Sequence, residues 1–122
     1  MTLVSRALPI ALAAALAPSI AWAGHACDFY SGLAYTGEKF TLFNGHALQT
    51  QPGMKPGRTL PEGDDFQLFT DPRWRGKVRS VRVQPGCTGN IDDGRRSTRY
   101  SSDNPDTGRV GAEGISFACR CQ

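Results

Sequence analysis

Residues 27–42 read CDFYSGLAYTGEKFTL. Tyr30 and Tyr35 are separated by four residues, Gly37 stands two further on, and Phe40-Thr41-Leu42 resumes an apolar run. Two aromatics flanking a tight β-hairpin can both pack on its inner face. The glycine between them supplies a backbone conformation that a side chain would forbid. The segment therefore predicts two strands joined by a compact, folded-over turn.

The rest of the chain continues in the same manner. Beyond residue 23 helix signals are nearly absent, and short apolar-aromatic runs alternate with Gly- and Pro-rich turns, which reads as all-β. Strands are expected at 27–30, 39–43, 66–69, 78–83, 97–100 and 115–121. Residues 44–65, NGHALQTQPGMKPGRTLPEGDD, read as a long polar loop holding one short strand around 46–49. A weak internal repeat is present. Phe40 lies thirteen residues after Cys27, and Tyr100 lies thirteen residues after Cys87. Each unit ends in a strand with a β-branched start, Val78-Arg79-Ser80-Val81 in the first and Ile115-Ser116-Phe117 in the second. Two unequal β units suggest a duplicated Greek key.

At the amino terminus, residues 1–23 combine one positive charge, Arg6, an apolar stretch, a helix-breaking Pro18 and Ala21-Trp22-Ala23. That is the pattern of a secretory signal peptide, too short in its apolar run to span a bilayer. The expected domain is 24–122, with motif one at about 27–86 and motif two at about 87–122. It is expected to be secreted or periplasmic, with no transmembrane anchor once the signal is cleaved, and monomeric. The formal charge of +3, less Arg6, is mildly basic and says little about partners.

All four cysteines, Cys27, Cys87, Cys119 and Cys121, fall after the signal, and an even count there implies two disulfides. On a strand Cys119 and Cys121 point the same way, and a bridge between them would be strained. Cys27 and Cys87 should each pair with one member of that terminal pair, in an order left open. Each bridge would add roughly 2–4 kcal/mol. Two histidines, His25 and His46, are too few to complete a zinc site with this cysteine spacing, so no metal and no cofactor is expected.

The hairpin segment 27–42 resembles the first half of a βγ-crystallin Greek-key motif. The run WRGKVRSVRV, 74–83, looks like the motif's closing strand, and Gly86-Cys87 with Cys119-Arg120-Cys121 is similar to small secreted bacterial members of that superfamily. The resemblance implies a disulfide-bonded sandwich of two Greek keys, with Tyr30, Tyr35, Gly37, Phe40, Trp74 and Ser80 as fold-motif residues. A competing register exists, because Phe69-x4-Trp74-x-Gly76 has the same aromatic pattern and would start motif two at Phe66. We place the start at Cys87, where the cysteines and closing strands fall in equivalent positions.

Many members of this superfamily bind calcium through an Asn/Asp-Asn/Asp-x-x-Ser/Thr-Ser signature. Carried onto this chain, the first set would be Arg75, Gly76, Arg79 and Ser80, and the second Ala112, Glu113, Ser116 and Phe117. Cations stand where carboxylates are needed, so no tight calcium site is expected. Asp64-Asp65 and Asp92-Asp93 read as solvated turn residues.

No recognised catalytic signature occurs, and the chain is not expected to be an enzyme. Arg73, Arg75, Lys77 and Arg79 alternate with Trp74, Gly76, Val78 and Ser80. On an extended strand they would form a one-sided cationic ridge able to hold an anion. Arg95, Arg96 and Arg99 form a second basic group. Exposed aromatics and a large charge excess are lacking, so nucleic acid is not an expected partner.

The expected role is binding or structural. Through the resemblance, peptidase inhibition is one form of it, with the loop 44–65, its Pro52, Pro56 and Pro61, and Met54 or Leu60 presented to a secreted protease. The alternatives are an envelope stress or structural protein, and a toxin-like or polyanion-binding protein that uses the basic ridge on envelope polyanions.

Overall fold

The computed structural model describes residues 25–59 and 67–122. The expectations for the signal peptide, and for Leu60, Pro61, Asp64, Asp65 and Phe66, lie outside them.

Among the described residues nine strands form two sheets. In chain order they are β1 (Ala26–Tyr30), β2 (Lys39–Phe43), β3 (His46–Gln49), β4 (Gly57–Thr59), β5 (Gln67–Thr70), β6 (Ser80–Val83), β7 (Cys87–Asp92), β8 (Ser97–Tyr100) and β9 (Ser116–Cys121). A 3-10 turn spans Pro72–Trp74, and a short helix, α1, spans Gly108–Ala112. Sheet one has the order β2-β1-β6, and sheet two the order β4-β5-β3-β9-β7-β8. Among the described strands β3 and β5 run parallel and the other neighbours antiparallel.

The repeat seen in the sequence is a repeat in register. Phe29 faces Phe40 across β1 and β2, and Gly89 faces Tyr100 across β7 and β8. Each first strand is also flanked by the closing strand of its own unit, β6 beside β1 and β9 beside β7. The third strand of each unit crosses over. β3 joins sheet two beside β9, and Asn104 bridges to Val81 at the edge of sheet one. The first unit thus lends β3 to sheet two, and the second reaches back to sheet one through the Asn104 bridge.

The folded hairpin is built as its sequence requires. The buried Ser80 hydroxyl donates to the Gly32 carbonyl at 2.7 Å and accepts from the Tyr35 N–H at 2.9 Å. Tyr30 and Tyr35 meet edge to face at 5.9 Å. Ala34, Tyr35 and Gly37 all take positive φ, and a Cβ at Gly37 would lie 2.5 Å from Ser31 Oγ. Without the glycine this turn could not close so tightly. Between the sheets, Phe40 stacks on Phe29 with centroids 4.8 Å apart and meets Trp74 edge-on at 4.6 Å. Phe117, Leu42, Ile91, Val78 and Val81 complete this buried centre.

Both disulfides are formed, Cys27–Cys119 and Cys87–Cys121. The first ties β1 of sheet one to β9 of sheet two. The second joins directly opposed residues of β7 and β9. Both pairings join one early cysteine to the terminal pair, as the strain argument required, and they suit an oxidising compartment. Among the described residues no helix is long and apolar enough to cross a membrane.

Three expectations are corrected. Residues 44–65 are not simply a loop: β3 is followed by a turn at Pro52-Gly53 and then by β4, which pairs with β5 and widens sheet two. Strand β7 was not anticipated, because Thr88-Gly89-Asn90 has turn-like composition. It is held as a strand by pairing on both sides and by Cys87. The closing strand begins at Ser80 rather than Val78, because 72–77 coil into the 3-10 turn and a following turn.

Candidate functional site

That last correction disperses the expected cationic ridge. Period-two alternation does not apply to a coiled segment, so Arg73, Arg75, Lys77 and Arg79 do not share one face of a strand. The Arg73 guanidinium makes two bonds to Asp71, at 3.0 and 2.8 Å, and holds that carboxyl below the usual carboxylate range. Lys77 pairs with Glu38 at 2.9 Å and sits over the Trp74 ring. Arg79 Nη1 lies at 3.3 Å from the Gly76 carbonyl and 3.4 Å from that of Val78. Arg75 remains exposed, with Nη1 at 3.5 Å from the Thr50 carbonyl.

The positions carried over from the calcium signature have other uses here. Ser80 is buried and committed to the hairpin, and the Gly76 N–H donates to the Gly114 carbonyl at 2.9 Å. Tyr30 faces Ser80, and Asn90 faces Ala118. The equivalent of Ser80 is therefore Ala118, one residue beyond the Phe117 assigned from sequence. Asp92 and Asp93 are turn residues: Asp92 accepts from the Gly94 N–H, and Asp93 from the N–H groups of Arg95 and Arg96 at 2.8 and 2.9 Å. These two backbone bonds lower the Asp93 carboxyl pKa.

Two surface features stand out among the described residues. The first follows from unequal sheets. β4 and β5 extend sheet two past β2, the last strand of sheet one on that side, so the inner face of β5 is left without a covering strand. The result is an open apolar groove of about 390 Å3 whose lining includes Phe40, Leu42, Leu48, Pro56 and Phe69. At one end the His46 ring touches Phe69 edge-on at 5.2 Å and Phe43 at 5.6 Å, and Phe43 is 53% exposed. Asp71, fixed by Arg73, forms part of the rim. Pro56, from the segment expected to act as a binding loop, lies in this lining. Met54 is held in the preceding turn by its N–H bond to Gln51. Sequence reasoning missed the groove because it depends on how far one sheet overhangs the other.

The second feature is a pair of adjoining depressions of about 350 and 290 Å3 that share Asp93, Arg95 and Glu113. Arg75, Arg96 and Arg109 also line them. His25 is exposed beside β1 and belongs to neither feature.

Comparison with known proteins agrees with the topology. A βγ-crystallin domain of Abundant Perithecial Protein from Neurospora crassa, solved in its Ca2+-bound form, superposes with a TM-score of 0.55 at 13% identity, covering 81% of this chain and 91% of that one. A βγ-crystallin domain from Flavobacterium johnsoniae superposes at 0.54 and 16% identity, covering 79% and 94%. Neither a protein-family model nor any curated protein matches the sequence. The fold is that of the βγ-crystallins: two Greek keys in a disulfide-bonded sandwich.

Proposed function

We propose that this βγ-crystallin-fold chain is an exported protein that acts by binding, and that it takes up an extended segment of a secreted peptidase along the free edge of β2. One observation supports this reading: the partly buried Phe69, packed beside the buried Leu48, opens onto an apolar groove next to a strand with no second partner among the described residues. A partner strand added to β2 beside Lys39 and Thr41 would continue the backbone hydrogen bonding of sheet one, the Phe43 N–H being taken by His46 Nδ1 at 3.1 Å. Its alternate side chains would fall on Phe69 and Pro56, which is the chemistry of strand addition. The fold favours such a role energetically. The groove walls are held by the β3–β5 and β4–β5 pairings and, at the rim, by the Asp71–Arg73 pair, so little conformational freedom is lost on docking. The peptidase identity rests on the sequence resemblance.

The test is titration of the disulfide-intact protein against a panel of secreted proteases. Stoichiometric inhibition is expected for at least one. Phe43→Asp, an exposed position, should weaken it by tenfold or more without lowering the unfolding midpoint. No inhibition at micromolar concentration, or inhibition indifferent to Phe43, would overturn the proposal.

A further inference from the structure

Arg75, Arg95, Arg96 and Arg109 are far apart in sequence and arise from three different elements. Arg75 follows the 3-10 turn, Arg95 and Arg96 occupy the β7–β8 turn, and Arg109 belongs to α1. The fold brings them around the two adjoining depressions, and all four are exposed. Among the described residues none of the four enters an ion pair, whereas Arg73, Lys77 and Arg82 each do. Two carboxylates are present. Asp93 is occupied by the backbone N–H groups of its own turn, and Glu113 stands in no ion pair. The depressions therefore carry an excess of positive charge that the protein does not neutralise itself.

The scaffold beneath these side chains is firm. Gly94 sits at φ +95° in a turn closed by the side chains of Asp92 and Asp93. Helix α1 is seated so closely that a Cβ on Gly111 would collide with the Val78 carbonyl and with Thr107 Oγ1. Gly76 and Gly114 join the two closing segments through a 2.9 Å hydrogen bond. Guanidinium forks from fixed backbones suit tetrahedral oxyanions, to which they can donate two bonds at once.

We propose that this four-arginine surface is a binding site for a flexible polymer bearing repeated tetrahedral oxyanions, phosphate or sulfate. The site is separate from the β2 groove and stands or falls independently of it. A polymer fits better than a single small anion, because the two depressions are open and contiguous and the cations are spread along them. Nucleic acid fits worse, because no aromatic side chain lines either depression to stack on a base.

The experiment uses fluorescence anisotropy with labelled long-chain polyphosphate and labelled heparin, the two arms separating phosphate from sulfate. Binding by at least one is expected at low salt. Its affinity should fall as salt rises, with a log–log slope of roughly 3, near the number of arginines engaged. Arg95→Glu/Arg96→Glu should weaken binding at least tenfold. These residues close the turn through backbone groups, their two N–H groups to Asp93 and the Arg96 carbonyl to the Asp93 N–H, so the thermal midpoint should hold. Lys39→Glu/Lys55→Glu changes the net charge equally at distant positions and should stay within about twofold of the parent. The proposal is overturned if neither polymer binds, if both double variants lose affinity equally, if orthophosphate competes at the same phosphate concentration, or if single-stranded DNA of matched charge binds more tightly.

Discussion

Replacing Ser80 by alanine removes one oxygen atom and leaves two backbone groups without their partner. Ser80 is fully buried and sits on β6, yet both of its bonds reach into the turn between β1 and β2. The Gly32 carbonyl loses its 2.7 Å donor, and the Tyr35 N–H loses its 2.9 Å acceptor. An orphaned buried polar group costs about 1–3 kcal/mol. The turn is partly open to water, so we take the bottom of that range, about 1–1.5 kcal/mol for each group, and expect a loss of about 2–3 kcal/mol. The turn also holds Ala34 at φ +53° and Tyr35 at φ +61°, conformations that cost an L-residue roughly 1–2 kcal/mol each. With the Ser80 tether gone, the cheapest response is for 33–36 to relax, which withdraws Tyr35 from Tyr30 and from the Arg82 guanidinium 4.3 Å from its ring. A loss of 2–3 kcal/mol in a domain of this size lowers the midpoint by roughly 10–20 °C. Urea unfolding and thermal melts of the disulfide-intact protein measure it, with near-ultraviolet dichroism reporting on the tyrosines. A change below about 0.5 kcal/mol with an unaltered tyrosine signal would refute the assignment of Ser80 as the tether.

Two further outcomes follow from the cross-links and from the groove rim. The Cys27–Cys119 bridge spans 92 residues and Cys87–Cys121 spans 34, so chain entropy assigns them about 4.6 and about 3.8 kcal/mol. Cys27→Ala/Cys119→Ala should therefore be the more destabilised double variant in a urea titration, by about 1 kcal/mol, and a reversed order would contradict this. The Asp71 carboxyl is depressed chiefly by its hydrogen bond from the Arg73 side chain. Its contribution to stability is full above the ordinary carboxylate pKa of about 4 and is lost as pH falls through the lower folded value. Asp71→Asn should accordingly narrow the stability gap to the parent between pH 4 and pH 2. A gap that stays constant over that interval would show that the pair contributes nothing.

The folded hairpin, the all-β class, the terminal cysteine logic and the two-unit repeat were legible because each is local or nearly so. An aromatic-x4-aromatic-x-glycine string specifies its own turn. The spacing of Cys27 to Phe40 and of Cys87 to Tyr100 reports the shared hairpin register directly. Strand β7 was illegible because glycine and asparagine cost a strand only a fraction of a kcal/mol each, and that is outweighed when it lies between two partners and carries a disulfide. The basic ridge was misread for a related reason. Arg73 to Arg79 alternate as a strand would, but Pro72 starts a 3-10 turn capped by Asp71, and a buried Trp74 sets the direction of the chain instead.

What the sequence determined alone, then, is the element type and the cross-linking chemistry, because periodicity, turn residues and cysteine spacing act over short distances along the chain. Which strand lies beside which was decided only in three dimensions. β3 leaves its own unit for the other sheet, β5 adds to it in parallel, and that overhang opens the apolar groove. The gathering of Arg75, Arg95, Arg96 and Arg109 is of the same kind. It depends on non-local pairing that buries Phe29 and Phe117 between two sheets with the partly buried Phe40 packed on them, and burial is a property of the packed whole rather than of any window of residues.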